Sequence, residues 1–204
     1  RRPAARADEA ASLVALVGKD HRVVEAFRAS VAQTLVWAEK NLAQARVWRD
    51  GRQVTENTGN LVVATFTHDV SRQPDPRLHI HAVVAGATLA SDGKWHALKN
   101  DAIYQHQRTL GAVHNAYLRE GLEKLGYELV PGNNPVLGEF EIAGISRVQI
   151  EAFSERRAQI LAALDKDGRS SPREREIAAL ATRRDKEPAM DREERGKVWA
   201  EKAA

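Results

Sequence analysis

Apolar residues recur at helical spacing near the start of the chain, at Leu13, Leu16 and Val17 and then at Val23, Val24, Phe27, Val31, Leu35 and Leu42. This spacing predicts helices over residues 9–17 and 20–43. Gly18 and Asp20 between them read as a C-cap and an N-cap. A short strand over 45–48 runs into Asp50-Gly51, a tight-turn signal. Residues 60–70 and 78–89 carry strand-like patterning rich in Val and Thr, and 69–77, with Ser71, Pro74, Asp75 and Pro76, reads as the loop between them. Asp92-Gly93 joins the second of these strands to another at 94–98, so the sheet is at least partly antiparallel. A long helix is expected over 101–125, with Ile103, Leu110, Val113, Tyr117, Leu118, Leu122 and Leu125 on one stripe and Gly126 as its stop. Short strands follow at 127–130 and 138–142.

The character then changes. Residues 151–204 hold 25 charged side chains and only two aromatics, Phe153 and Trp199. Helices over 154–164, 172–183 and 191–202 fit that stretch. The chain therefore reads as α+β, an antiparallel sheet with flanking helices over 1–145 and a polar helical extension over 146–204.

Composition narrows the chemistry. With 43% apolar but only 5% aromatic residues, the core must be built largely from aliphatic side chains. The net charge of +3 is too small to argue for a nucleic-acid partner by itself. The absence of cysteine excludes disulfides, zinc ribbons and thiol nucleophiles. No stretch approaches the roughly 20 apolar residues of a membrane span, and no secretory signal is visible, so a cytoplasmic protein is expected. The chain opens on Arg1, and Met190 is its one methionine, which reads as a piece of a longer protein.

The informative stretch runs from Phe66 to His81. His79 and His81 are two apart on a strand and point to one face, roughly 7 Å apart. His68 ends the preceding strand, and the loop is long enough to bring it back beside them. Three neutral imidazoles would form an open ligand set for a divalent metal such as Zn or Mn, with positions left for water or a substrate oxygen. Such a site suits phosphoryl chemistry. Arg72 and Arg77 flank the histidines and match phosphate geometry. Asp69 and Asp75 are positioned to orient imidazoles, although Asp75 before Pro76 equally suits a turn. His21, His96, His106 and His114 share no such arrangement and read as surface or packing residues.

His68-Asp69 followed by His79-Ile80-His81 and Ala82-Val83-Val84-Ala85 resembles the metal motif of conjugative relaxases of the TrwC/TraI type, histidine–hydrophobic–histidine endonucleases of the MobF class. Thr58-Gly59-Asn60-Leu61-Val62, Asp92-Gly93-Lys94-Trp95, Leu118-Arg119-Glu120, Leu125-Gly126-Tyr127, the run from Ile150 to Arg156, and Ala181-Thr182-Arg183 resemble that family in order and spacing. The resemblance implies a five-stranded antiparallel palm whose histidines hold one divalent metal (Mg, Mn or Zn), with the helices after it acting as fingers over DNA. It implies nicking of single-stranded DNA at a transfer origin by a tyrosine, leaving a 5′-phosphotyrosyl enzyme that travels to the recipient cell. It also implies relaxosome and secretion-machinery partners for a monomeric enzyme, with a helicase domain further along the parent chain.

The nucleophilic tyrosines of that family, and an acidic residue that orients its histidines, lie before the point where this chain begins. Tyr104, Tyr117 and Tyr127 do not match their positions, so the fragment itself is expected to be inactive. Arg183, Arg184 and Lys186, at the end of an expected helix, are candidates for phosphate contacts. Two other functions fit the residues: a module that binds single-stranded DNA or the secretion machinery around a structural metal, and a phosphodiesterase that uses a metal-bound water.

Overall fold

The computed structural model describes residues 7–71, 75–132, 134–154, 171 and 191–203. The first helix, α1 (Ala7–Ser12), runs on into a wider π-helical turn over Leu13–Val17, and the Gly18 amide closes it on the Leu13 carbonyl at 2.9 Å. Asp20 then caps α2 (His21–Leu42), its carboxylate accepting from the Arg22 amide. Both caps match the sequence expectation.

Strands β1 (Gln44–Arg49) and β2 (Arg52–Asn57) form a hairpin, with Asp50 and Gly51 both at positive φ. Two positive φ values in succession suit the right-handed twist of the flanking strands. The sequence reading had the turn but not β2, whose exposed, polar pattern carries little strand signal. Next come β3 (Val63–Val70) and β4 (Pro76–Val84), a second antiparallel pair, and β5 (Ala87–Leu89) with β6 (Trp95–Ala97), a third. The expected helix over 101–125 is interrupted at His106, giving α3 (Asp101–Gln105) and α4 (Gln107–Lys124). Strands β7 (Leu129–Pro131) and β8 (Phe140–Ile142) pair last.

The fold is α+β with antiparallel strands and flanking helices. Among the described residues the strands pair as four two-stranded ladders rather than one five-stranded sheet. The ladders are tied together locally, for instance where the Lys99 amide reaches the Gln44 carbonyl at 2.7 Å.

After β8, a short helix α5 (Arg147–Ala152) is opened by a reciprocal capping box between Ser146 and Gln149. The last described helix is α6 (Arg192–Ala203), where one was expected over 191–202. The expected helices over 154–164 and 172–183 lie outside the described residues.

One aliphatic core gathers these elements. Ala10, Ala11 and Leu13 meet Val23 and Phe27 of α2, Leu78 of β4, Leu118 and Leu122 of α4, and Phe140 and Ile142 of β8. Ile150 and Phe153 and, from α6, Trp199 belong to the same cluster, so both sides of residue 146 share it. Helices α2 and α4 approach closely at Gly121, where an added Cβ would lie 3.2 Å from that of Ala26.

Candidate metal centre

The β3–β4 ladder sets His68 opposite His79 and Phe66 opposite His81. Paired residues share a face, and alternate residues along a strand do too. His68, His79, His81 and Phe66 therefore stand on one side, and Leu78 and Ile80 on the other, where they join the core. Burial of that inner face fixes the register, because a one-residue slip would send the histidines into the aliphatic cluster.

The three rings lie nearly at the corners of an equilateral triangle. Their centroids are 5.3 Å apart for His68–His79 and 5.0 Å for each of the other pairs. A point equidistant from all three lies about 3 Å from each centroid, close to what metal–nitrogen bonds of about 2.0–2.1 Å require. The donor set is right for a borderline divalent ion. Among the described residues no group of three or more His, Cys, Asp or Glu side chains is already set to hold a metal ion. The rings are gathered but His68 is stacked on His79 at an interplanar angle of 23°, so its nitrogens run alongside rather than converge. His68 and His81 are exposed to solvent.

His79 is already oriented. Its Nδ1 lies 2.9 Å from the Arg77 carbonyl oxygen. A carbonyl can only accept, so Nδ1 carries the proton and Nε2 keeps its lone pair for a ligand. The carbonyl is available because the ladder is irregular here. Between the pairs His68–His79 and Val70–Pro76 the register shifts, so that Asp69 faces both Arg77 and Leu78. This is a β-bulge on β4, which locally frees backbone groups. The Leu78 amide donates to the buried Ser12 hydroxyl at 2.9 Å, and that hydroxyl donates on to the Asp8 carbonyl at 2.5 Å. Sequence reading had no means of finding Ser12, whose partner lies 66 residues away.

The other expected residues divide. Arg77 is exposed on β4 and contributes its carbonyl to His79. Asp69 pairs with Arg195 of α6, the guanidinium 3.2 Å from the carboxylate, rather than with an imidazole. Asp75 is buried, and its carbonyl accepts from the Ser71 amide, which is the turn role. Arg72, Arg183, Arg184 and Lys186 lie outside the described residues.

Several of the remaining histidines and tyrosines are engaged elsewhere. His106 Nδ1 bonds the Ala102 carbonyl, and His96 pairs with Asp92. His114 packs edge-on against Phe27 with centroids 5.3 Å apart, and burial holds its pKa below the ordinary histidine value. Tyr127 donates to Asp20 at 2.7 Å; burial, and then this bond, raise the pKa of its phenol. Asp20 is held well below the usual carboxylate range by its side-chain bond to Arg22 and then by Tyr127. A phenol kept protonated in this way is a poor nucleophile. Tyr117 lines a shallow groove between α2 and α4 with Ala32, Val36 and Trp37, and Tyr104 is exposed on α3.

Comparison with known proteins decides the family. The model of the TrwC relaxase family matches residues 9–204. This chain belongs to the TrwC relaxase family. The multifunctional conjugation protein TraI of Escherichia coli K12 is 36% identical over 190 residues, covering 89% of this chain and 10% of TraI. A second TraI from Escherichia coli is 35% identical over 202 residues, covering 95% of the chain and 11% of TraI. The chain thus spans about a tenth of the length of the curated relatives it matches. Among solved structures, TrwC complexed with a 27-mer DNA comprising the recognition hairpin and the cleavage site superposes with a TM-score of 0.89 at 42% identity, over 98% of this chain and 71% of that one. A metal-bound structure of the conjugative relaxase TrwC in complex with oriT DNA matches with a TM-score of 0.90 at 42% identity, over 97% and 68% of the two chains. No described helix is long and apolar enough to cross a membrane.

Proposed function

We propose that this chain carries the metal-holding part of a conjugative DNA relaxase, with His68, His79 and His81 as the ligands of one divalent metal, whether Mg, Mn or Zn. The observation that carries the proposal is the triangle of imidazoles at 5.0–5.3 Å on one open face of the β3–β4 ladder. Membership of the TrwC family supports it, as does a metal-bound structure of TrwC that matches over nearly the whole chain.

When bound, the ion draws charge from a phosphate oxygen. The chain's own residues do the positioning. His79 presents Nε2 because Arg77 holds Nδ1. The open face admits a single DNA strand from the transfer origin, and Arg77 and Arg72 stand in sequence beside the ligands with the charge to meet its phosphates. The nucleophile is a tyrosine from elsewhere in the parent protein: its oxygen bonds to phosphorus while the 3′ oxygen leaves, giving a 5′-phosphotyrosyl enzyme and a free 3′-hydroxyl. Residues 1–145 serve as the palm. Residues 146–204 close over the strand, with Arg183, Arg184 and Lys186 on its phosphates, and Ile150, Phe153 and Trp199 root this part in the palm's core. Relaxosome and secretion-machinery proteins are the partners expected of the parent.

The test is adduct formation in the parent protein. Full-length protein with an origin-containing single strand and Mn should give a covalent band on a denaturing gel. His79→Ala should abolish that band, and His106→Ala should leave it. A band of equal intensity in the His79→Ala variant would overturn the ligand assignment.

A further inference from the structure

Helix α6 is polar overall but presents one spaced stripe to the rest of the protein. Arg195, Trp199 and Lys202 recur at intervals of four and three, the spacing that puts side chains on one helix face. Trp199 is buried in the common core, and Lys202 lies over the Phe153 ring at 5.5 Å. Arg195 reaches past the core to Asp69, with Nη2 at 3.2 and 3.4 Å from the two carboxylate oxygens. The side chains of this pair are only 15% and 27% exposed. Asp69 is the β3 residue that faces the bulge, between His68 and the register shift.

We infer that the Asp69–Arg195 ion pair is a positioning device for the histidine cluster: α6 clamps β3 at the bulge and so holds His68 in rung with His79. The inference rests on the metal-site reading above. Its physical basis is that the extra residue of a bulge is left unpaired and the ladder is locally disrupted there, so fewer backbone bonds hold Asp69 and its neighbours in place. A charged pair shielded from water and anchored to a helix seated in the core fixes Asp69 in space, and His68 is its covalent neighbour. The Arg77 carbonyl that orients His79 belongs to the same bulge, so the clamp steadies two ligands at once. A sequence of 25 charges among 54 residues hides the pair, but the coincidence of Arg195 with Trp199 one turn later marks the buried face of α6.

A seat for α6 alone would not require Asp69 to matter to the metal, and this separates the two roles. Titration of this chain with Mn or Co should show Asp69→Asn and Arg195→Gln each weakening uptake by about 10–100-fold, as loss of an outer partner does. The double variant should be no worse than either single one, and Arg195→Lys should be intermediate because it keeps the charge on a more compact and more strongly hydrated head. Lys202→Ala, which loosens α6 from Phe153 without touching Asp69, should bind metal like the parent sequence. Amide hydrogen exchange without metal supplies a second readout. Asp69→Asn should speed exchange at Leu78 and Val70 beyond any change in α6. Wild-type metal affinity in Asp69→Asn, or faster exchange confined to α6, would overturn the inference. Failure of the unmodified chain to take up any metal would overturn the metal-site reading instead, leaving the exchange at Leu78 and Val70 to decide the clamp.

Discussion

His68 and His79 occupy the same rung of the β3–β4 ladder, directly opposite each other, with their rings stacked 5.3 Å apart. The rung is the last regular one before the bulge, so the two proposed ligands sit at the end of the regular part of the ladder rather than in its middle. Removing either should cost more than the 10–100-fold typical of an outer partner. Elemental analysis of His79→Ala and His81→Ala should find little Mn or Zn, while His106→Ala retains it. Equal metal in all the variants would refute the site.

Tyr127 is spent on Asp20. Tyr127→Phe should leave covalent DNA capture by the parent protein unchanged and lower the melting temperature of this chain, because the bond to a carboxylate is lost. Loss of the DNA adduct in Tyr127→Phe would instead mark this phenol as reactive.

His114 makes stability depend on pH near neutrality. Its folded pKa lies below the ordinary 6.5 through burial against Phe27, so the unfolded chain binds a proton more readily than the folded one. The stabilising contribution is full above about pH 6.5 and declines as pH falls through the folded value. His114→Gln should flatten the melting temperature between pH 7 and pH 5. An unchanged slope would place the titration elsewhere.

Leu118 is fully buried where α4 meets α2 and β8. Leu118→Ala should lower unfolding free energy by about 2–5 kcal/mol in a urea titration, the usual cost of such a cavity. Val198→Ala, at a residue 42% exposed, should cost about 0.5 kcal/mol or less.

The proposed contacts of Arg183 and Arg184 with DNA carry a salt signature. Single-strand affinity should fall with salt at a slope of about −0.7 per phosphate neutralised, and the double alanine variant should flatten that slope. An unchanged slope would refute those contacts.

The histidine face and most of the elements could be read from the chain because they rest on local rules. The period of two puts His79 and His81 together, Asp20 caps its own helix, and Asp50-Gly51 turns on two positive φ values. What escaped was either weakly patterned or long-range. Strand β2 is exposed on nearly every residue, so burial left no alternation to detect. The break at His106 interrupts a continuous apolar stripe without a Gly or Pro to mark it. Asp69 was expected to face an imidazole, because sequence adjacency to His68 says nothing about a guanidinium 126 residues away. A separation of 66 residues likewise hid Ser12 beneath Leu78.

Such separation also orders events in time. Hairpins such as β1–β2 close over a few residues and form in microseconds, whereas a contact spanning 126 residues must wait for the chain between to be gathered. Helix α6 should therefore dock last during folding and lift first under mild denaturant. In that interval the ladder would hold its histidines with its bulge unclamped. With Trp37, Trp48 and Trp95 replaced by Phe, stopped-flow fluorescence of Trp199 should resolve this docking as a slower phase than strand formation, and metal uptake should begin in the slower phase.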